Sequence, residues 1–188
     1  MKQIIFDLDD TLYKDKRLRE KREKAIIKFL GEKFNEYKIL KKEFHTIECF
    51  EKLGYSRKDF FNIIDKVEIN LKNDLKLQKI LLKLHKRYRL IVLSNVSNYV
   101  VEKTLDKLGI LFLIDEYYGG DDFSYSKPHK DCFFMISKGD IAIGNNFKKD
   151  IEIPKMLGAL TILISKSNEI FSADHIIKSI YDINKIIG

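Results

Sequence analysis

Four stretches of the chain are apolar almost without interruption, and each ends in small or polar residues. They are residues 4–7 (Ile-Ile-Phe-Asp), 90–95 (Leu-Ile-Val-Leu-Ser-Asn), 141–145 (Ile-Ala-Ile-Gly-Asn) and 160–164 (Leu-Thr-Ile-Leu-Ile), the last closing at Ser165. Runs that are apolar throughout, rather than alternating, mark strands covered on both faces, as in a parallel sheet. Between them the pattern lengthens to a helical period, which predicts helices at 100–108, 131–137 and 151–157. Strands alternating with helices predict a doubly wound α/β fold, a parallel sheet between two helical layers. Ligands in such folds bind beyond the carboxyl ends of the strands. All four polar tips fall there.

Residues 13–85 differ. They carry helical periodicity, no clear strand and few breakers. Gly31 and Gly54 are placed to end helices, and Ser56 to cap the next one. This stretch reads as a helical subdomain inserted into a core made of residues 1–12 and 86–188. An insertion after the first strand would act as a lid. The plainer alternative, a long helical connection packed on the core, fits its length less well.

The first polar tip carries the clearest chemistry. Asp7 and Asp9 follow the apolar run one residue apart, and in an extended chain they would point the same way. Two carboxylates within about 4 Å repel by roughly 4 kcal/mol at an effective dielectric near 20. A divalent cation is the usual remedy. A calcium loop of the EF-hand type is excluded, because its sixth and twelfth positions would be Leu12 and Leu18 where glycine and glutamate are needed. An acidic surface turn is the other reading, but it leaves the apolar strand before it unexplained.

At 188 residues, 45% hydrophobic and 34% charged, the chain is long and apolar enough for one sizeable core with a small insertion. No apolar run approaches the roughly 20 residues that span a membrane. The start reads as a strand rather than a signal peptide, so a cytoplasmic protein with reduced Cys49 and Cys132 is expected. The net charge of +7 favours anionic partners. The lysines are scattered among glutamates along helical stretches, which suits a solvated face better than a nucleic-acid surface.

In order along the chain stand Asp-Leu-Asp-Asp-Thr-Leu at 7–12, Leu-Ser-Asn at 93–95, Ser-Lys-Pro at 126–128 and Gly-Asn-Asn-Phe-Lys-Lys-Asp at 144–150. With this set the chain resembles the haloacid dehalogenase-like superfamily, in its phosphatase type with a helical cap inserted after the first motif. The resemblance implies a Rossmann-like three-layer core and hydrolysis of a small phosphomonoester through an aspartyl phosphate, with Mg²⁺. Asp7 is then the nucleophile, and Asp9 the general acid and later the base, its backbone carbonyl also touching the metal. Thr11 helps fix the turn, or is an ordinary turn hydroxyl. Ser94 and the amide of Asn95 bind the phosphate. Lys127 supplies a fixed positive charge beside Asp7 and the phosphate. Asp7, Asp9, Asn145 and Asp150 form the metal site. His129 reads as a helix-start residue.

One position departs from the pattern. Similar phosphatases carry aspartate directly after the glycine, where this chain has Asn145. Its amide oxygen can coordinate Mg²⁺ or hold a ligand water but brings no charge, so metal binding is expected to be weaker, not absent. Dehalogenases of the superfamily carry asparagine nearby and need no metal, but they lack the acid that Asp9 supplies here. A phosphomutase would share Asp7 and Asp9, and nothing in the sequence separates it from a phosphatase. A binding or regulatory protein on a decayed core is the alternative from another class. Substrate, oligomeric state and the cap residues that set specificity, with Tyr13, Lys14 and Arg17 as candidates near the entrance, are not legible.

Overall fold

The four apolar runs form the four middle strands of one sheet. In the computed structural model, which describes residues 1–167 and 172–187, strand β1 (Gln3–Phe6) is followed by helices α1 (Lys16–Leu30), α2 (Phe34–Leu40), α3 (Thr46–Lys52), α4 (Arg57–Ile64) and α5 (Leu75–His85). Then come β2 (Arg89–Leu93), α6 (Asn98–Lys107), β3 (Glu116–Tyr118), β4 (Ile141–Gly144), α7 (Glu152–Met156), β5 (Leu160–Ile164), β6 (His175–Ile177) and α8 (Asn184–Ile187). The strand order is β3-β2-β1-β4-β5-β6, and every neighbouring pair is parallel. This is a Rossmann-like α/β fold. Its strand order reverses between β1 and β4, where such sheets open a crevice for ligands.

Burial explains why these runs became strands. Ile4 and Phe6, on one face of β1, and Ile5, on the other, are all buried. Ile5 stands beside Ile91 on β2 and Ala142 on β4. These three pack with Leu93, Phe133 and Ile136 into one apolar cluster. Burying a large aliphatic or aromatic side chain stabilises by about 1.5–3 kcal/mol, so the central strands are held mainly by this double coverage.

The chain divides into two compact units, Asp15–Asn70 and a larger one of Met1–Lys14 with Leu71–Gly188. The smaller unit is helical. The Asp15 side chain caps α1, accepting from the Leu18 amide at 2.9 Å, and α1 ends where Gly31 takes a φ of 52°. Ser56 and Asp59 exchange hydrogen bonds in a capping box at the start of α4. Its core gathers around Phe50, whose ring meets those of Phe29, Tyr37, Tyr55 and Phe60. The sequence reading ran the insertion to residue 85. Helix α5 instead belongs to the larger unit, where it packs against β2 and buries Leu77, Leu81 and Leu84.

One expected helix differs. Residues 131–137 form only a short 3₁₀ turn, Lys130–Phe133. Side chains take the backbone groups that a longer helix would use. The Gln3 amide donates to the Met135 carbonyl, and the Asp140 carboxylate accepts from the Ser137 amide at 2.8 Å. Asp140 also receives the Gln3 side chain, which ties this loop to β1. Among the described residues no helix is long and apolar enough to cross a membrane.

Candidate active site

The site begins where β1 stops pairing. The Asp7 amide still donates to the Ile143 carbonyl of β4 at 2.8 Å. The chain then turns sharply. The Leu8 carbonyl accepts from the amides of Thr11 and Leu12, at 3.3 and 3.0 Å. Asp10 takes a φ of 61°, and Leu8 and Leu12 are buried under the turn. The turn returns Thr11 to Asp7, where its hydroxyl donates to Oδ2 at 2.8 Å. Asp9 pairs with Tyr13 in an isolated parallel bridge, and the chain reverses from Asp10 onward. The Asp9 carboxylate accepts from the Tyr13 hydroxyl.

Lys127 reaches the same carboxylate from the loop after β3. Its Nζ donates at 2.8 Å to Asp7 Oδ1, to Asp150 Oδ1 and to the Leu93 carbonyl at the end of β2. Three acceptors satisfy all three protons of a buried ammonium. The Asn95 side chain holds the lysine's backbone from both sides, accepting from the Lys127 amide at 2.8 Å and donating to its carbonyl at 3.2 Å. Burial works against the charge on Lys127, but Asp150 and Asp7 outweigh it and leave the ammonium above its ordinary range. Burial pushes Asp7 the other way, up to about 7, with Asp150 adding to the rise and Lys127 opposing it.

Asp150 lies within a π-helical turn, Phe147–Ile151, that leads into α7. Its Oδ2 accepts from the Asn146 amide at 3.0 Å. With Oδ1 on Lys127, both of its oxygens are engaged. Gly144 lets it come so close: a Cβ there would lie 2.2 Å from Asp150 Cβ. Asn145 stands between these groups. Oriented to satisfy its neighbours, its amide nitrogen donates to the Asp9 backbone carbonyl at 3.2 Å and to Asp7 Oδ2 at 3.3 Å.

Comparisons with known proteins identify the family and the fold. The model of the haloacid dehalogenase-like hydrolase family matches residues 4–139, a stretch that holds Asp7, Asp9, Ser94 and Lys127. The chain belongs to that family. Three solved structures share its fold over nearly all of both chains. A HAD phosphatase from Thermococcus onnurineus is 22% identical over 100% of this chain and 98% of its own, with a TM-score of 0.63. YfnB from Bacillus subtilis, determined with magnesium bound, is 14% identical over 99% and 98%, with a TM-score of 0.66. An L-2-haloacid dehalogenase from Xanthobacter autotrophicus is 11% identical over 100% and 98%, also at 0.66. No curated protein matches the sequence.

Within this hydrolase the expected residues divide into two groups. Asp7, Lys127, Asp150, Asn145 and the Asp9 carbonyl are joined by direct hydrogen bonds. Ser94 is buried at the tip of β2, where its hydroxyl accepts from the Val96 amide at 3.4 Å. Asn95 meets the others through its side chain, where the sequence had pointed to its backbone amide. His129 caps the 3₁₀ turn and stacks on Tyr125, with ring centroids 4.0 Å apart. The sequence reading gave no contact to Thr11 and left Tyr13 an entrance candidate. Each stands four residues after the carboxylate it binds, and that spacing was the available signal.

The donors offered to a cation are a carboxylate oxygen of Asp7, the Asp9 carbonyl and the amide oxygen of Asn145 after the amide turns over. Among the described residues no group of three or more His, Cys, Asp or Glu side chains is arranged to hold a metal. One carboxylate and two neutral oxygens fit Mg²⁺, a hard cation that keeps several waters and takes further oxygens from a substrate phosphate.

Proposed function

We propose that this hydrolase is a Mg²⁺-dependent phosphatase acting on a small phosphomonoester. The observation that carries the reading is the Asp7 carboxylate, held at a strand tip between the Thr11 hydroxyl and the Lys127 ammonium, with a second acid, Asp9, two residues on. In this reading the helical unit Asp15–Asn70 is the cap subdomain.

The chemistry runs in two steps. An oxygen of Asp7 attacks phosphorus, the bond to the leaving oxygen breaks, and Asp9 gives that oxygen a proton. Asp9, now a carboxylate, takes a proton from water. That water attacks phosphorus, phosphate leaves, and Asp7 is restored. Lys127 balances charge on the phosphoryl oxygens throughout, and Asp150, the Leu93 carbonyl and Asn95 hold it in place. Ser94 and the Asn95 amide serve as further phosphate donors. Mg²⁺ would be held by Asp7, the Asp9 carbonyl and Asn145, and would neutralise phosphate charge. Asp150, with both oxygens engaged, acts through Lys127. Carbon–halogen cleavage accounts for Asp7 but leaves Asp9 without a task.

The test is phosphate release from a panel of phosphomonoesters, with and without Mg²⁺, for the wild type and Asp7→Asn. Metal-dependent release that the substitution abolishes is expected, and the ranking of the panel would name the substrate class. Phosphoryl groups kept and transferred to the substrate would mark a mutase. Folded protein without turnover at high Mg²⁺ would overturn the reading in favour of a binding role.

A further inference from the structure

The Asn145 amide bridges the two oxygens that a cation would also need. Its nitrogen lies 3.2 Å from the Asp9 carbonyl and 3.3 Å from Asp7 Oδ2. With the amide reversed, its oxygen would face those two acceptors and receive only the Thr11 hydroxyl, at 3.5 Å. An aspartate at this position could offer neither proton and would need a cation to be satisfied. Another acid of the site, Asp150, is committed to Lys127 and to the Asn146 amide.

We propose that the Asn145 side-chain amide stands in for the divalent cation in the metal-free protein. Its NH₂ group ties the Asp7 carboxylate to the Asp9 carbonyl, and the cation enters only by displacing it, the amide turning over to present its oxygen. The metal-free site is therefore already formed. A cation must replace two existing hydrogen bonds and gains one anionic ligand fewer than a second carboxylate would supply. The inference rests on the phosphatase reading of the site, but metal uptake and stability read it, not turnover.

The experiment titrates the full-length protein with MgCl₂ alone by calorimetry and follows melting with and without Mg²⁺. Wild type, Asn145→Asp and Asn145→Ala are compared, with circular dichroism as the check on folding. In the wild type, Mg²⁺ should bind weakly and barely move the melting temperature. Asn145→Asp should melt lower without metal, recover with it, and bind Mg²⁺ at least about tenfold more tightly. Asn145→Ala decides between a stand-in and a plain ligand. It should melt below the wild type without metal, yet bind Mg²⁺ no more weakly, because the competitor has gone with the ligand. An alanine variant that melts like the wild type and binds Mg²⁺ more weakly would overturn the proposal. So would an aspartate variant that matches the wild type in both measurements. Either result leaves the phosphatase reading standing, since phosphate release and Asp7→Asn decide that separately.

Discussion

Two aspartates in this molecule have nearly the same partners and opposite acidities. Asp7 receives the Thr11 hydroxyl at 2.8 Å and the Lys127 ammonium at 2.8 Å. Asp174, just before β6, receives the Thr161 hydroxyl at 2.6 Å and the Lys155 ammonium at 2.7 Å, with the Thr161 amide added at 2.8 Å. Asp7 is pushed up to about 7. Burial also disfavours charge on Asp174, but the hydrogen bonds from Lys155 and Thr161 outweigh it and bring the carboxyl down to about 2. The difference lies around the pair. The Asp174 and Lys155 side chains are 34% and 38% exposed, whereas those of Asp7 and Lys127 are 12% and 4% exposed. Lys127 is also shared with a second buried carboxylate, Asp150. One lysine serving two buried acids leaves Asp7 under-compensated, which suits a group that must react. One lysine and a backbone amide serving a single partly exposed acid make a strut between β5 and β6.

Substituting the two aspartates should therefore move stability in opposite directions. Asp7→Asn is expected to cut phosphate release by roughly a thousandfold or more. The same change should raise the melting temperature at pH 8. A raised carboxyl holds its proton better folded than unfolded, so the wild type loses stability as pH rises from about 4 through about 7. Asparagine removes that slope, so the difference between the two proteins should shrink as pH falls and vanish below about pH 4. An asparagine variant that melts lower at pH 8 would show that Asp7 is a structural ion pair like Asp174.

Lys127→Met carries the next largest effect and breaks the comparison from the other side. It leaves Asp7 and Asp150 as neighbouring buried acids without their shared cation, at a cost of about 3–5 kcal/mol. Adding Asp150→Asn should recover part of that loss, which denaturant unfolding would measure. Gly144→Ala comes third. Its Cβ would press on Asp150 at 2.2 Å, and overpacking of this kind costs about 1–3 kcal/mol. The loss should come with slower turnover, because Asp150 can yield only by shifting Lys127.

The contrast also marks what the sequence could and could not tell. Strands β1, β2, β4 and β5 were legible because burial on both faces leaves uninterrupted apolar runs. Strands β3 and β6, Glu-Tyr-Tyr and His-Ile-Ile at the sheet edges, are three residues long and too short for a period to appear. Asp7 and Lys127 lie 120 residues apart in the chain, and only the order of the motifs suggested that they meet. The hydrogen bonds that hold Lys127, its own to the Leu93 carbonyl and those it shares with the Asn95 side chain, depend on how a loop closes, which no local pattern records. The same is true of the direction of the Asn145 amide. Nothing in the sequence pointed to the pairing of Thr161 with Asp174, which lie 13 residues apart and carry no motif.

Asp174→Asn should have the smallest effect and shows the comparison at its clearest. Asparagine keeps an oxygen for the Thr161 hydroxyl and amide, so what goes is the charge that faces Lys155. For a pair this exposed, solvent screening limits the loss to about 1 kcal/mol or less at pH 7. A carboxyl whose folded value lies below its unfolded one stabilises above the unfolded value, and that contribution disappears as pH falls through the folded value. The wild type should thus exceed the variant from pH 4 upward, with the gap closing between about 4 and about 2. Added salt should shrink the gap at pH 7, because the pair is within reach of solvent ions. The Asp7→Asn difference at pH 8 should hardly respond to salt, because it arises from burial. If both differences respond to salt alike, burial is not what separates the two aspartates.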